Sequence, residues 1–260
     1  MTRIILRLSG RRALLHVGCV LAAVVISTVC DPVCAATITW GAPTTISGDV
    51  DVSTDGTLVA AKNTTSGSPT INGVPFTSLG ESDPTFALSS PGIISFSNVA
   101  FGSALPPFAS LSADYRSLLV GAQVTQTPPT APPPMTVTIS GLSIGRLYQF
   151  QWWVNDSRDT GDFDRTTMAT AGNSVTLEHN VANIEGGVGQ FVLGTFTADA
   201  ATQAILLQGA GTGPNVGSTQ INVLQLRDLV IPEPASALQL GCGIFGLVGY
   251  GRHRRRLCAP

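Results

Sequence analysis

The sequence predicts an all-β protein, an antiparallel two-sheet sandwich flanked by an N-terminal signal helix and a C-terminal transmembrane helix. Three observations lead there. Between residues 36 and 231 helical periodicity is hard to find, and short β-branched and aromatic runs recur between Gly, Pro, Asn and Asp clusters. Both ends differ from this middle, each joining an apolar run to a basic cluster. Cys19, Cys30, Cys34, Cys242 and Cys258 all lie outside the middle, which must therefore fold on its apolar core without disulfides.

At the N-terminus, Arg3, Arg7, Arg11 and Arg12 precede an apolar segment from Ala13 to Val29, and Val33-Cys34-Ala35 follows with small residues. A basic start, an apolar middle and a small-residue cleavage site make a secretory signal peptide, residues 1–35, cut by signal peptidase after Ala35. A retained membrane anchor is the alternative. The next segment, residues 36–230, is the predicted sandwich domain, of a size that buries its own core. Its candidate strands are Thr37–Trp40, Thr57–Asn63, Ile93–Phe96, Ser117–Val124, Met135–Ile139, Leu147–Asn155, Ser174–Glu178, Gln190–Phe196, Ala204–Gly209 and Ile221–Leu229. Short strands with turn signals and little helix between them favour antiparallel pairing. The proline-dense stretch Thr127–Pro134 reads as an extended loop or a seam.

Charge narrows the partners. The middle holds six basic residues, Lys62, Arg116, Arg146, Arg158, Arg165 and Arg227, against fourteen acidic ones, a difference of −8. That argues against nucleic acid and other polyanions, whose binding rests on cationic neutralisation. Neutral glycans, cations and basic partners remain.

The strand Leu147–Asn155 carries the first candidate site. Side chains alternate faces, so Tyr148, Phe150, Trp152 and Val154 point to the core, while Gln149, Gln151, Trp153 and Asn155 share the other face. A row of amides beside an indole suits a sugar ring, which stacks on the aromatic and bonds to the amides. The competing reading is that another layer covers Trp153, as large aromatics are usually buried. A second candidate is the loop with Asp156, Asp159, Asp162 and Asp164, whose closely spaced oxygens could hold calcium. Arg158 and Arg165 sit in the same loop and offer a salt-bridged alternative. Asp49 and Asp51 are expected on one strand face before a hairpin turn at Asp55-Gly56.

No catalytic constellation emerges. His179, the one histidine of the middle, lacks any nucleophile motif or zinc spacing around it, and Glu185-Gly186-Gly187-Val188-Gly189 lacks the lysine of a phosphate loop. The expectation is a non-catalytic domain, with no cofactor beyond the calcium that the Asp loop would take.

Two stretches resemble known families. Leu142–Tyr148, Leu147–Asn155, Gly189–Asp199 and Ile221–Asp228 together resemble the jelly-roll, galactose-binding-like sandwiches of carbohydrate-binding modules, over roughly residues 136–229. At the C-terminus, Pro232-Glu233-Pro234 precedes an uncharged run from Ala235 to Gly251. Arg252, Arg254, Arg255 and Arg256 follow. The run is 17 residues long, at the short end of the roughly 17–25 that span a membrane, and the arginines would face the cytoplasm. This order resembles the PEP-CTERM sorting signal of exported bacterial envelope proteins, over residues 231–256. It implies recognition by an exosortase-type transpeptidase, with cutting near Pro232-Glu233-Pro234. The protein is then expected in the inner membrane in transit, and afterwards at the cell surface or in extracellular matrix. Its domain would bind extracellular polysaccharide. The alternatives are a purely structural or adhesive matrix protein, or a carboxylate-based hydrolase.

Overall fold

The computed structural model describes residues 36–96, 100–125, 133–158, 164–211 and 218–229, which belong to one compact unit. The expected signal helix, the membrane run 235–251, the Pro-Glu-Pro motif and the terminal arginines lie outside these residues. Among the described residues no helix is long and apolar enough to cross a membrane.

Six strands come first: β1 (Thr39–Trp40), β2 (Thr44–Thr45), β3 (Thr57–Asn63), β4 (Thr70–Ile71), β5 (Val74–Pro75) and β6 (Thr77–Ser78). Then come β7 (Phe86–Ser89), β8 (Ile93–Phe96), a short helix α1 (Ala113–Leu119), β9 (Ala122–Thr125) and β10 (Met135–Ser140). The remainder is β11 (Leu147–Val154), β12 (Arg165–Ala171), β13 (Asn173–Glu178), β14 (Gln190–Thr197), β15 (Thr202–Gly211), β16 (Gln220–Ile221) and β17 (Val223–Asp228).

Two large sheets form the sandwich. The first runs β1-β14-β11-β17-β3-β6, with β2 also on β14, and is antiparallel except for β3 against β6. The second runs β13-β12-β15-β10-β7 and is antiparallel throughout. β11 sits inside the first sheet, paired along its length with β14 on one side and β17 on the other. Its inward row Tyr148, Phe150, Trp152 and Val154 joins Val192, Phe196, Leu224 and Leu226 from its own sheet. Opposite lie Met135, Val137, Ile139, Ile205 and Leu207 of the second. The period-two expectation for this face holds.

A second core lies on the other side of the same sheet. Trp153, Phe191 and Val223 project outward and meet Ile46, Val52, Ile71, Phe76, Tyr115, Leu118 and Leu119. The layer that supplies these is built of loops, the short β4-β5 pair and α1. Where a strand Ser117–Val124 was expected, the chain makes α1 and then β9. Ser112 caps the helix, its Oγ accepting from Tyr115 N at 3.1 Å. Tyr115, Leu118 and Leu119 then fall on one buried face at helical spacing.

Other expectations shift in informative ways. Asp49–Asp51 is a 3-10 turn, not a strand. Gly56 does adopt a left-handed φ of 65°, but β3 after it pairs with β17 and no hairpin forms with residues 49–51. The expected strand Ile221–Leu229 is broken at Asn222 into β16 and β17. β7 (Phe86–Ser89), β12 (Arg165–Ala171) and the two-residue strands β2, β4, β5 and β6 are not among the strands expected from the sequence.

Candidate functional site

The row of residues expected to meet a sugar is instead covered. Trp153 and Asn155 have no exposed surface, Gln151 1% and Gln149 7%. A side chain without accessible surface cannot stack on a ligand, so the open glycan platform on this face is corrected. These groups bind the chain itself. Gln151 Nε2 donates to Asp51 O at 2.7 Å, and its Oε1 accepts from Ser53 N at 3.0 Å. On neighbouring β17, Gln225 Nε2 donates to Ser53 O at 2.8 Å. Arg227 donates to the carbonyls of Thr54, Asp55 and Gly56. The outward face of the sheet is a docking surface for the backbone of residues 51–56.

Trp153 closes a second tie. Its Nε1 donates to Tyr115 Oη at 3.1 Å, and Tyr115 Oη donates to the Asp51 carboxylate at 3.0 Å. Asp51 also accepts from Ser47 N at 2.7 Å, Ser47 Oγ at 2.6 Å and Gly48 N at 3.0 Å. Burial, reinforced by the Asp51 charge, raises the Tyr115 phenol well above its ordinary value. It therefore stays protonated as donor. Asp49 accepts from Ser112 Oγ at 2.7 Å, which adds a bond from the same turn to the start of α1. Both carboxylates act as fasteners between the loop layer and the helix.

Asn155 belongs to a third cluster, at the end of β11. Its Oδ1 accepts from Gly189 N at 3.0 Å, and its Nδ2 donates to Phe101 O at 3.2 Å. Asn222, the residue that interrupts β16 and β17, accepts from Asn155 N at 2.9 Å. Its Nδ2 reaches Leu119 O at 2.9 Å and Gly121 O at 2.7 Å, tying α1 to the sheet. A Cβ on Gly189 would collide with the carbonyl of Val154, so only glycine fits there.

In the Asp loop the salt-bridged alternative describes Asp156. Buried at 1% exposure, it accepts from Arg158 Nε at 2.8 Å and Arg158 Nη2 at 2.7 Å, and it pairs with Arg165. Both of its oxygens are occupied by guanidinium, so Asp156 is not free for calcium. Asp159 and Asp162 lie outside the described residues, and Asp164 is exposed. Among the described residues no group of three metal-ligating side chains gathers. Burial lowers the Arg165 guanidinium to about 10, which leaves it charged at neutral pH.

His179 is sealed in the same region. Its Nε2 meets Thr167 Oγ1 at 2.9 Å. Burial, with Arg165 and Arg158 nearby, holds its pKa well below the usual imidazole value. A neutral, enclosed imidazole without access to solvent serves packing.

Open surfaces lie elsewhere. The outer face of the second sheet presents Ser174 and Thr176 of β13, Thr166, Met168 and Thr170 of β12, and Ala204, Leu206 and Gln208 of β15. Thr136, Thr138 and Ser140 of β10 continue the face. Register sets them in rows: Thr176, Met168 and Gln208 align across three strands, as do Ser174, Thr170, Leu206 and Thr136. Among the described residues of these faces Glu178 is the one charge, at a corner. A period-two pattern in Arg165-Thr-Thr-Met-Ala-Thr-Ala171 was the available signal for this strand. A separate cleft of about 480 Å³ opens beside α1.

No family model and no curated protein matches the chain. Among solved structures it is similar to the ANX2 ectodomain from Arabidopsis thaliana, at a TM-score of 0.40 and 11% identity. That match covers 66% of this chain and 49% of the other. It is also similar to the enzymatically active domain of bacteriophage CBA120 tailspike protein 4, at a TM-score of 0.30 and 14% identity, over 59% of this chain and 22% of that one. Likeness at this level carries no function across.

Two outcomes follow from the buried charges. Asp156→Ala leaves Arg165 buried without its counter-ion and is expected to lower stability by about 3–5 kcal/mol in denaturant melts. His179 is neutral when folded, whereas the unfolded chain takes up a proton below its ordinary pKa near 6.5. Stability should therefore fall with pH below about 6.5, by up to about 1.4 kcal/mol per pH unit from this one group. Chemical denaturation of His179→Gln across that range should show a shallower fall; an unchanged slope would exclude the assignment.

Proposed function

We propose that this chain is an exported, non-catalytic, jelly-roll-like surface protein. In this reading it is delivered by a signal peptide, sorted through its PEP-CTERM-like tail, and engages neutral extracellular polysaccharide through the outer face of its second sheet. The observation that carries the reading is that face. On a domain with six basic and fourteen acidic residues, it is a broad area almost without charge, set with hydroxyls and amides at strand spacing. A neutral glycan exchanges hydrogen bonds with such groups, and its C–H surfaces contact Met168 and Leu206 without desolvating any ion. Glycan recognition thus moves from the covered face of β11 to the opposite side of the sandwich. The purely structural matrix reading is favoured by the covering of Trp153 and by the use of Gln151 and Asn155 in the chain's own fold.

Sedimentation with an insoluble neutral β-glucan separates the two. The wild type should co-sediment, and the Met168→Glu/Leu206→Glu pair, which alters side chains at the surface, should lose most of that binding while keeping its melting temperature. Wild type left in the supernatant would favour the structural reading. Sorting has its own test: Pro232→Ala/Glu233→Ala/Pro234→Ala should leave uncut protein in the inner membrane fraction of its host. Normal processing would remove the tail from this account.

A further inference from the structure

The distribution of the cations points to a binding site that the polysaccharide reading does not use. Of the six basic residues between 36 and 231, five are engaged by the protein. Lys62 pairs with Asp83 at 2.6 Å and Arg146 with Asp228 at 2.8 Å. Arg158 and Arg165 share Asp156. Arg227 is spent on the carbonyls of residues 54–56. Arg116 is different. It lies on α1, half-buried, and among the described residues its guanidinium makes no ion pair and no side-chain hydrogen bond.

Arg116 also lines the cleft beside α1, together with Gly102, Ser103, Ala104, Phe108 and Val120. Its volume, about 480 Å³, falls in the range of small-molecule sites. Apart from Arg116 and a few hydroxyls the lining is small or apolar. The wall is well supported. Phe108 N donates to Gly186 O at 2.8 Å, and a Cβ on Gly102 would lie 2.9 Å from Val120 Cγ1, so the loop packs closely on the helix.

We propose that this cleft binds a small monocarboxylate with an apolar body, the carboxylate on the Arg116 guanidinium and the body against Ala104, Phe108 and Val120. A planar guanidinium matches a carboxylate through two parallel hydrogen bonds. The apolar wall accepts a hydrocarbon or ring without stranding polar groups. The surplus of acidic residues disfavours a polyanion or a dianion, so one negative charge beside an apolar body is the complement of the site.

Isothermal titration of the protein purified from its host with 4-phenylbutyrate tests this, with 4-phenylbutanamide and inorganic phosphate as companion probes. The expected result is millimolar or tighter binding of the carboxylate, with the amide and phosphate weaker by about tenfold or more. Arg116→Gln should weaken the carboxylate by a similar factor and leave the amide unchanged. Ala104→Trp, which fills the mouth and keeps the cation, should weaken both organic probes. Far-ultraviolet circular dichroism confirms that each variant is folded. Equal affinity for acid and amide, indifference to Arg116→Gln, phosphate binding as tight as the carboxylate, or no heat up to about 10 mM would each overturn the proposal. None of these outcomes bears on glucan sedimentation, which reads the other side of the domain.

Discussion

β11 is buried on both faces, and that single constraint shapes the rest of the chain. A strand with Tyr148, Phe150, Trp152 and Val154 on one side and Gln149, Gln151 and Trp153 on the other, with Asn155 just past its end, asks for two different environments. The apolar side receives a sheet. The mixed side cannot be left against bare hydrocarbon, because a buried amide without a partner costs about 1–3 kcal/mol. The chain answers with irregular backbone, whose free N–H and C=O groups are the partners those amides need. Residues 51–56 bond to Gln151, Gln225 and Arg227, and the Asp51–Tyr115–Trp153 series joins turn, helix and sheet.

This arrangement explains why a domain without disulfides carries so many buried polar side chains. Loops that would otherwise leave backbone groups unpaired are held by specific side chains of the sheet. Asn155 and Asn222 do the same at the far end of β11, where strand, helix and loop meet. Asp156 pairs with two arginines, the buried Arg165 and the partly exposed Arg158. Polar chemistry that looks like a binding site in one dimension is consumed as internal fastening in three.

What the fold leaves accessible therefore lies on its outer surfaces. The open surfaces differ in character: a hydroxyl-rich sheet face almost without charge on one side of the sandwich, and a small apolar cleft beside α1 whose arginine makes no ion pair among the described residues. Neither lies on the residues with the most suggestive side chains. Both follow from what the fold leaves over once its internal needs are met.

The sequence alone determined the all-β class, most of the long strands and the inward row of β11, because local alternation and turn residues report which side of a strand is apolar. It also determined the acidic balance and the absence of cysteine from the middle of the chain. Tertiary structure alone decided the fate of the other face of β11. Whether Trp153 meets solvent depends on α1 and residues 46–76, brought there by contacts that span tens of residues, and no local pattern encodes that cover. Asn222 shows the same limit: alternation reads through it as one strand, while its side chain is recruited by Leu119 and Gly121, about a hundred residues away. Arg116 could be counted in the sequence, but that it makes no ion pair among the described residues is a property of where their acidic side chains come to rest.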